Sequence, residues 1–544
     1  MADNLLFSKN RAQHTLKYFL VISIVLITVI KLNLIGAGFL TFDDETRYYQ
    51  SGRALQHLLE LNIHAAIKNI FSTQARPADT IIKIIPNAIQ YATADIFKLS
   101  YYESKNSYPL FIFNFIIYCC ILVIHYKFSK LILLDSSLAL FSVLLFSALT
   151  NSYVYLRHAV PYDLSLLFYY IIIYKLVLFN EDNSLSSKKS LLIGIFSFIA
   201  FLIYPGNYTL YFVVLFLLFF NNLSNNNFTR KIYYSGSFIL GSILCLVLCE
   251  KVARMVGTSY ILDAKGLSQT LNQGSYEESF AFILKYLFEV EGLTGIILFI
   301  SLVIYFIIMF YQIKSKTFKQ HSLINLLAII LLLMYLTFAS VGYFLHKAVF
   351  QGRYLHQYFP FICILSVYSL NKLLINDKIK KLILLSISIV IILNFSFNFI
   401  NYISYSYPRD ILWQLINANK LNRNNNFEYD NNRWPLMPKG SEHIYNDING
   451  NPISAYYNII VVWDYKNTSI YYLANKATKN AFDSNDNYYL LETKPSFANF
   501  KAYQYDLGFN MAYRNCLSQM NLQISIFSAG NPVTGLSSQD QARN

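Results

Sequence analysis

Residues 18–35 read YFLVISIVLITVIKLNLI, and this nearly unbroken apolar run decides the fold class. A helix of about 20 apolar residues is long enough to cross the hydrocarbon core of a bilayer. Lys9, Arg11 and Lys17 precede the run, as basic residues precede the apolar segment of a signal peptide. The run is too long for that segment, so we predict a retained first transmembrane helix.

Similar runs recur along the chain. Its 544 residues are 55% hydrophobic and 14% charged, whereas soluble proteins carry about 25% charged residues. The recurring runs predict an α-helical polytopic membrane protein with about 11 transmembrane helices. The candidate spans lie near residues 18–38, 108–125, 131–150, 162–179, 190–205, 208–220, 232–250, 293–312, 322–345, 357–374 and 380–401.

The net charge of +14 does not indicate a nucleic-acid partner, because Lys and Arg form short clusters between the apolar runs. Basic loops of membrane proteins favour the cytoplasmic side. With a cytoplasmic N-terminus, every basic loop falls on that side and an odd number of spans places the C-terminus outside. We therefore predict a multi-pass membrane protein with a cytoplasmic N-terminus. The basic loops are 125–130, 180–189, 221–231, 314–319 and 371–381.

The longer loops collect on the outer side. The first runs over about residues 40–107, and within it residues 46–60 space apolar side chains as one face of an amphipathic helix. A second amphipathic stretch follows at 81–97. Helices of this kind lie along a membrane surface, so we predict amphipathic outer-loop helices next to the bundle.

The last 140 or so residues leave the membrane pattern. Residues 405–544 are rich in Asn, Tyr and Asp, and a strand-like run occupies 456–463. We therefore predict two domains: a transmembrane domain over 1–404 and a small α+β soluble domain over 405–544, located in the periplasm.

Three adjacent acids, Asp43, Asp44 and Glu45, follow the first span. Carboxylates at a membrane boundary are costly unless they are solvated or paired. A solvated collar at a helix end is the simple interpretation. The functional hypothesis is a catalytic carboxylate. In an extended segment alternate residues face opposite ways, so Asp43 and Glu45 would point one way and Asp44 the other. One acid would act as the base, while another orients a basic side chain or a divalent metal; a metal cofactor is left open.

A second candidate lies in a late outer loop, residues 351–357, which reads QGRYLHQ. Lys347 lies just upstream of Arg353, Tyr354 and His356. Interfacial aromatics with a snorkelling arginine are the simple interpretation. The functional hypothesis is an anion site, because a guanidinium presents a fork of donors that matches phosphate oxygens.

A third candidate combines Arg157 and His158 with Asp163, at the predicted outer mouth of two spans. Asp163 enters an apolar segment, which is costly unless it pairs or faces a cavity. A structural Arg157–Asp163 ion pair and a substrate contact are equally good explanations. Arg76, directly before Pro77, is a weaker candidate of the same kind.

Carboxylates from the first loop and cations from later loops suit one reaction. A carboxylate takes the proton of an acceptor hydroxyl, which attacks the anomeric carbon of a sugar. The leaving lipid phosphate gains charge, which Arg or Lys donors stabilise. The chain has no Gly-rich phosphate loop, so a nucleotide donor is not supported.

These motifs resemble the GT-C superfamily of membrane glycosyltransferases, which includes protein mannosyltransferases, aminoarabinose transferases and serotype-converting glucosyltransferases. The first-loop motif reads TFDDETRY at 41–48, Ala75-Arg76-Pro77 is similar to a downstream Arg-Pro, and Gly352-Arg353-Tyr354 through Pro360 is similar to a late-loop pattern. The resemblance implies inverting transfer of a sugar from a polyprenyl-phosphate donor to an envelope glycan or lipid, such as O-antigen or lipid A.

Within the acidic motif, the resemblance favours Asp44 as the catalytic acid, with Asp43 second. Two other functions stay open. An O-antigen polymerase or ligase also works on the outer face with basic loops. A lipid-linked oligosaccharide flippase would need ionisable residues at mid-membrane and two similar halves, and the sequence offers few of the former and no repeat.

Overall fold

The fold is dominated by helices long enough to cross a membrane. A computed structural model of the protein describes residues 2–35, 46–73, 75–97, 108–220, 228–270, 279–318, 322–345, 351–374, 376–405, 452–454, 459–464, 488–495, 499–507 and 523–529. Within these ranges, seven helices have the length and apolar composition of a membrane span, or eight if one pair bent by 80° is a single span. The chain is therefore an α-helical multi-pass membrane protein.

The helices follow the predicted apolar runs closely, but not all reach span length. The four remaining predicted runs coincide with shorter helices, so eleven crossings stay a prediction. The first helix is α1 (Ala2–Lys31). The bundle continues with α5 (Tyr108–Leu133), α6 (Ser136–Ala148), α7 (Tyr162–Glu181), α8 (Ser187–Ile203), α9 (Tyr208–Phe220), α10 (Phe228–Met255), α11 (Tyr260–Thr270), α12 (Phe282–Glu289), α13 (Gly292–Lys314), α14 (Ser322–Leu345), α15 (Gly352–Leu355), α16 (Phe359–Leu373) and α17 (Asp377–Ser404).

The described part of the loop after the first span, residues 46–73 and 75–97, folds into helices, as its amphipathic pattern predicts. Its helices α2 (Thr46–Leu59), α3 (Ile63–Phe71) and α4 (Pro77–Phe97) pack on one another. Proline suits the first turn of α4 because that position needs no N–H donor. Buried polar contacts tie α2 to α4: the Tyr48 hydroxyl donates to Gln90 at 2.6 Å, and Ser51 donates to the Thr80 carbonyl.

Close helix packing in the bundle depends on glycines. A Cβ atom on Gly194 of α8 would meet the Phe238 carbonyl oxygen of α10 at 2.0 Å, and one on Gly241 would meet the Leu191 carbonyl at 2.2 Å. These two helices therefore approach backbone to backbone, as small residues permit in membranes. The turn Pro205–Asn207 separates helix α8 from helix α9, as expected for a Pro-Gly sequence.

Charged residues lie at both ends of the bundle. Asp135 before α6, Asp377 at the start of α17, and Lys380 and Lys381 line one small cavity with Leu16 of α1. At the opposite end, Lys31 at the end of α1 bonds to residues that follow α6, including Ser152 at 3.0 Å. We call this second end, where α1 finishes, the site end.

The C-terminal part contributes strands and one short helix. β1 (Pro452–Ser454), β2 (Ile459–Asp464), β3 (Tyr488–Pro495) and β4 (Gln523–Ala529) form an antiparallel sheet in the order β1-β2-β4-β3. The predicted strand at 456–463 overlaps β2. Helix α18 (Lys501–Leu507) packs against the membrane bundle through α12 and α15. A separate α+β domain over 405–544 stays a prediction.

Candidate functional site

Of the eleven predicted site residues, seven are described, and all seven lie at the site end. The other four lie outside the described residues. These four are Asp43, Asp44, Glu45 and Lys347. The chain on both sides of the acids is described: Leu34 is buried at the end of the first span, and Tyr48 is buried in α2. The position of the acidic motif itself relative to the site end stays a prediction.

His356 and Asp163 form the central contact of the site. His356 lies between α15 and α16 and is 1% exposed. Its Nε2 lies 2.7 Å from the Asp163 Oδ1 atom, and its Nδ1 lies 2.7 Å from the Asn151 Oδ1 atom. Asp163 sits in the first turn of α7, where the dipole of a helix N-terminus favours a carboxylate.

The partners of Asn151 determine the orientation of its side-chain amide. Its Nδ2 atom donates to the Gly352 carbonyl at 3.0 Å and contacts the Tyr286 hydroxyl at 2.9 Å. Because only the amide nitrogen can donate to a carbonyl, Asn151 must present its oxygen to His356. Both ring nitrogens of His356 therefore face oxygen atoms, and the ring is held between Asn151 and Asp163.

Arg353 is fixed by contacts from two distant parts of the chain. Its Nη1 atom donates to the Tyr162 hydroxyl at 3.0 Å, and its backbone N–H donates to Asp506 Oδ1 at 2.9 Å. The guanidinium also lies about 6.0 Å from the ring centre of Tyr354. A Cβ on Gly352 would approach Tyr286 at 2.7 Å, so only glycine fits directly before the arginine. Arg353 therefore has a defined place at the site end.

Arg76 comes to the same place through two tyrosine rings. Its guanidinium lies 4.9 Å from the ring centre of Tyr204, and that ring lies 4.7 Å from the ring of Tyr162, the hydrogen-bond partner of Arg353. Burial raises the pKa of Tyr204 well above its usual range, while the charges of Arg353 and Arg76 act in the opposite direction. Two cations 277 positions apart in the sequence thus flank one aromatic pair.

Arg157 and His158 lie on the side of the site that faces α17 and α18. The Arg157 guanidinium is 5.9 Å from the Tyr402 ring centre. His158 Nε2 is 2.7 Å from the Tyr503 hydroxyl, and the His158 carbonyl accepts from Asn114 at 2.7 Å. The considered Arg157–Asp163 ion pair does not form, because Asp163 is bonded to His356 instead.

Sequence reasoning missed several residues of this cluster. Asp506 is buried and accepts from both the Arg353 backbone and the Tyr155 hydroxyl, the latter at 2.7 Å. Tyr503, on the same short helix, contacts His158. The only local signals were polar residues in otherwise apolar or irregular segments, and such signals do not identify partners more than 150 positions away.

Glu291 is another residue that sequence reasoning missed, and it supports the turn that carries Asn151. Its carboxylate accepts from the backbone N–H of Thr150 at 2.7 Å and of Asn151 at 2.9 Å. Burial is the main cause that raises the pKa of Glu291 to about 7, while these two hydrogen bonds and the charge of Lys31 act against it. The carboxylate thereby fixes the turn that presents Asn151 to His356.

Other buried charges at this end have structural partners. The Lys31 ammonium donates to the Tyr118 hydroxyl at 2.8 Å, to Ser152 and to a backbone carbonyl, which satisfies its three protons. Lys83 pairs with Asp79 at 2.8 Å in α4 and donates to the Ala159 carbonyl at 2.7 Å. The hydrogen bond to Ala159 holds α4 next to Arg157 and His158.

A metal site would need several ligands close together. Among the residues that the structure describes, no three His, Cys, Asp or Glu side chains are grouped so that they could hold a metal ion. The candidate ligands Asp43, Asp44 and Glu45 lie outside that part of the chain, so the fit of a divalent ion to them stays a prediction.

The described cluster therefore has three parts. The Tyr162–Tyr204 pair lies between two arginines, His356 pairs with Asp163, and the side-chain carboxylate of Asp506 holds the backbone of Arg353. Such a group suits an anionic ligand more than a neutral one, because the charged groups beside the tyrosine pair are the guanidiniums of Arg353 and Arg76. No family model, curated protein or solved structure matches the chain, so its geometry is the basis for any assignment of function.

Proposed function

We propose that the protein is an inverting membrane glycosyltransferase. It transfers a sugar from a polyprenyl-phosphate donor to an envelope glycan or lipid, such as O-antigen or lipid A. One observation carries the proposal: Arg353 and Arg76, far apart in the sequence, flank the Tyr162–Tyr204 pair at the site end. The proposal adds the carboxylates of the acidic motif 43–45, which the sequence topology predicts on the same membrane face.

The chemistry follows from the charges. A carboxylate of the acidic motif, with Asp44 preferred over Asp43 and Glu45, takes the proton of the acceptor hydroxyl. The acceptor oxygen forms a bond to the anomeric carbon as the bond from that carbon to the phosphate oxygen breaks. The phosphate leaves with an added negative charge, and Arg353, with Arg76, stabilises it.

The membrane setting fits this donor. A polyprenyl chain stays in the bilayer while its phosphate lies at the surface, and the proposal requires Arg353 and Arg76 to lie at that depth. In the proposed orientation the N-terminus is cytoplasmic, and the site and the C-terminal segment are periplasmic, in a bacterial inner membrane. The basic loops at the other end of the bundle support that orientation.

The test is transfer by purified protein in detergent, with a labelled monosaccharide on polyprenyl phosphate and release of polyprenyl phosphate as the readout. We expect release by the wild type, and loss of at least about a hundredfold in Asp44→Asn if this acid is the base. Asp43→Asn and Glu45→Gln rank the other two acids. Asp263→Asn, in α11, is the matched control and should keep full activity.

Other outcomes distinguish the alternatives. Release only from a polyprenyl-diphosphate oligosaccharide would assign a polymerase or ligase. Transbilayer movement of the intact lipid without release would assign a flippase. Activity unchanged in all three acid variants would show that the acidic motif is not the base. Chelation followed by return of Mg²⁺ tests whether a divalent ion acts with these acids.

A further inference from the structure

An apolar groove with a basic mouth lies between the end of α10 and the start of α11, away from the cluster described above. Its volume is about 610 Å³. Aliphatic side chains form its walls, and two cations stand at its edge one helical turn apart, which places them on one face of α10. The walls are Leu246, Val247, Met255 and Ile261, and the cations are Lys251 and Arg254.

Glu250 builds the groove and orients one of the cations. Its carboxylate accepts from Ser259 Oγ at 2.9 Å and from the Ile261 backbone N–H at 3.1 Å, which clamps the start of α11 onto α10. It also accepts from Arg254 Nε at 2.6 Å. The Arg254 side chain is nevertheless 72% exposed.

The groove continues into a surface suited to lipid chains. Five aliphatic side chains along α10 are between 49% and 63% exposed on a helix that has the length and composition of a membrane span. Exposed aliphatic side chains on such a helix contact acyl chains in the bilayer. They are Leu240, Ile243, Leu244, Val247 and Leu248.

We propose that this groove binds an anionic phospholipid, with its phosphate between Lys251 and Arg254 and an acyl chain along α10. Two cations and one carboxylate leave the mouth with a net charge of +1, which a phosphate diester neutralises. An arginine fork matches phosphate oxygens, and a lysine adds a second point of attraction. A zwitterionic lipid brings its own cation to the mouth and gains less.

The test measures lipid binding, which is independent of any transferase activity. Full-length protein in detergent is titrated with phosphatidylglycerol or with phosphatidylcholine of the same acyl chains, and native mass spectrometry counts bound lipids. We expect preferential retention of phosphatidylglycerol by the wild type. Joint replacement by Lys251→Gln and Arg254→Gln should weaken its binding by about tenfold or more.

Matched variants separate the site from general charge. Lys265→Gln changes an exposed lysine of α11 that does not line the groove. It removes one positive charge, as Lys251→Gln does, and should leave binding unchanged. Lys251→Gln alone, at an exposed position, tests the site if the double variant folds poorly. Equal binding of the two lipids by the wild type, or equal loss in Lys265→Gln, would overturn the proposal.

Discussion

Asp506 accepts a hydrogen bond from the backbone N–H of Arg353 at 2.9 Å, although 153 positions separate the two residues. The other carboxylate oxygen accepts from the Tyr155 hydroxyl at 2.7 Å. A carboxylate with these two partners holds the short helix α15 in register with the turn before α7. The C-terminal segment is therefore part of the site and not an appendage to it.

Replacing Asp506 by Ala should remove the contact that fixes the backbone of Arg353. The change leaves two buried donors without an acceptor, at a cost of about 1–3 kcal/mol in the free energy of unfolding. Asp506→Asn keeps an acceptor for the Arg353 N–H and a donor for the Tyr155 oxygen, so we expect it to recover most of the loss. Donor KM should rise more in the Ala variant than in the Asn variant.

The control for this comparison lies on the same helix. Lys501→Ala removes a half-exposed ion pair with Glu289 at 3.3 Å, and exposed pairs of this kind contribute little. We expect wild-type stability and activity. If Asp506→Asn is as impaired as Asp506→Ala, the negative charge and not the hydrogen bonding of Asp506 matters, and the positioning role is wrong.

The sequence predicted the helices well, because apolar runs of span length have few alternatives in a bilayer. The amphipathic pattern at 46–60 likewise gave α2 to within a residue at each end. Asp163 is a candidate because a carboxylate in an apolar span is costly, and Arg353 is one because its guanidinium matches phosphate oxygens; both site roles stay predictions. Their partners were not identified, since Asp163 bonds to His356, 193 positions away, and not to the nearby Arg157. Local spacing carries no information about such contacts.

Replacing His356 by Ala should destabilise the protein strongly. The change leaves Asp163 Oδ1 and the Asn151 oxygen without their buried hydrogen-bond partner, and each buried polar atom left unpaired costs about 1–3 kcal/mol. Thermal unfolding in detergent at pH 7 measures the effect. A double-mutant cycle with Asp163→Asn should show coupling above about 1 kcal/mol, because the two side chains are in direct contact. Additive losses would show that the pair contributes nothing to stability.

The raised pKa of Glu291 should make stability depend on pH. Its pKa is 4.5 ordinarily and about 7 in the folded protein, mainly because it is buried. The folded state therefore binds more protons than the unfolded state between these values, so this contribution to stability is complete below about pH 4.5 and is lost as the pH rises to about 7.

Glu291→Gln isolates that contribution, because glutamine does not titrate. The variant should lose about 1–2 kcal/mol near pH 7, since one of the two backbone N–H groups of Thr150 and Asn151 loses its acceptor. Its unfolding temperature should also change less between pH 5 and pH 7 than that of the wild type. Parallel curves for the two proteins would assign the titration to another group.

The pairing of Arg353 with Arg76 makes the sharpest prediction for donor binding. Arg353→Lys keeps the charge but loses the fork and the Tyr162 bond, so we expect binding of polyprenyl phosphate to weaken by about tenfold. Arg76→Lys should act in the same direction, and because both guanidiniums flank the Tyr162–Tyr204 pair, the double variant should lose less than the product of the single losses. Arg230→Lys, exposed at the opposite end of the bundle, is the control and should bind normally. Independent effects of the two arginines would place them at separate anions, and the single phosphate site would then have to be divided.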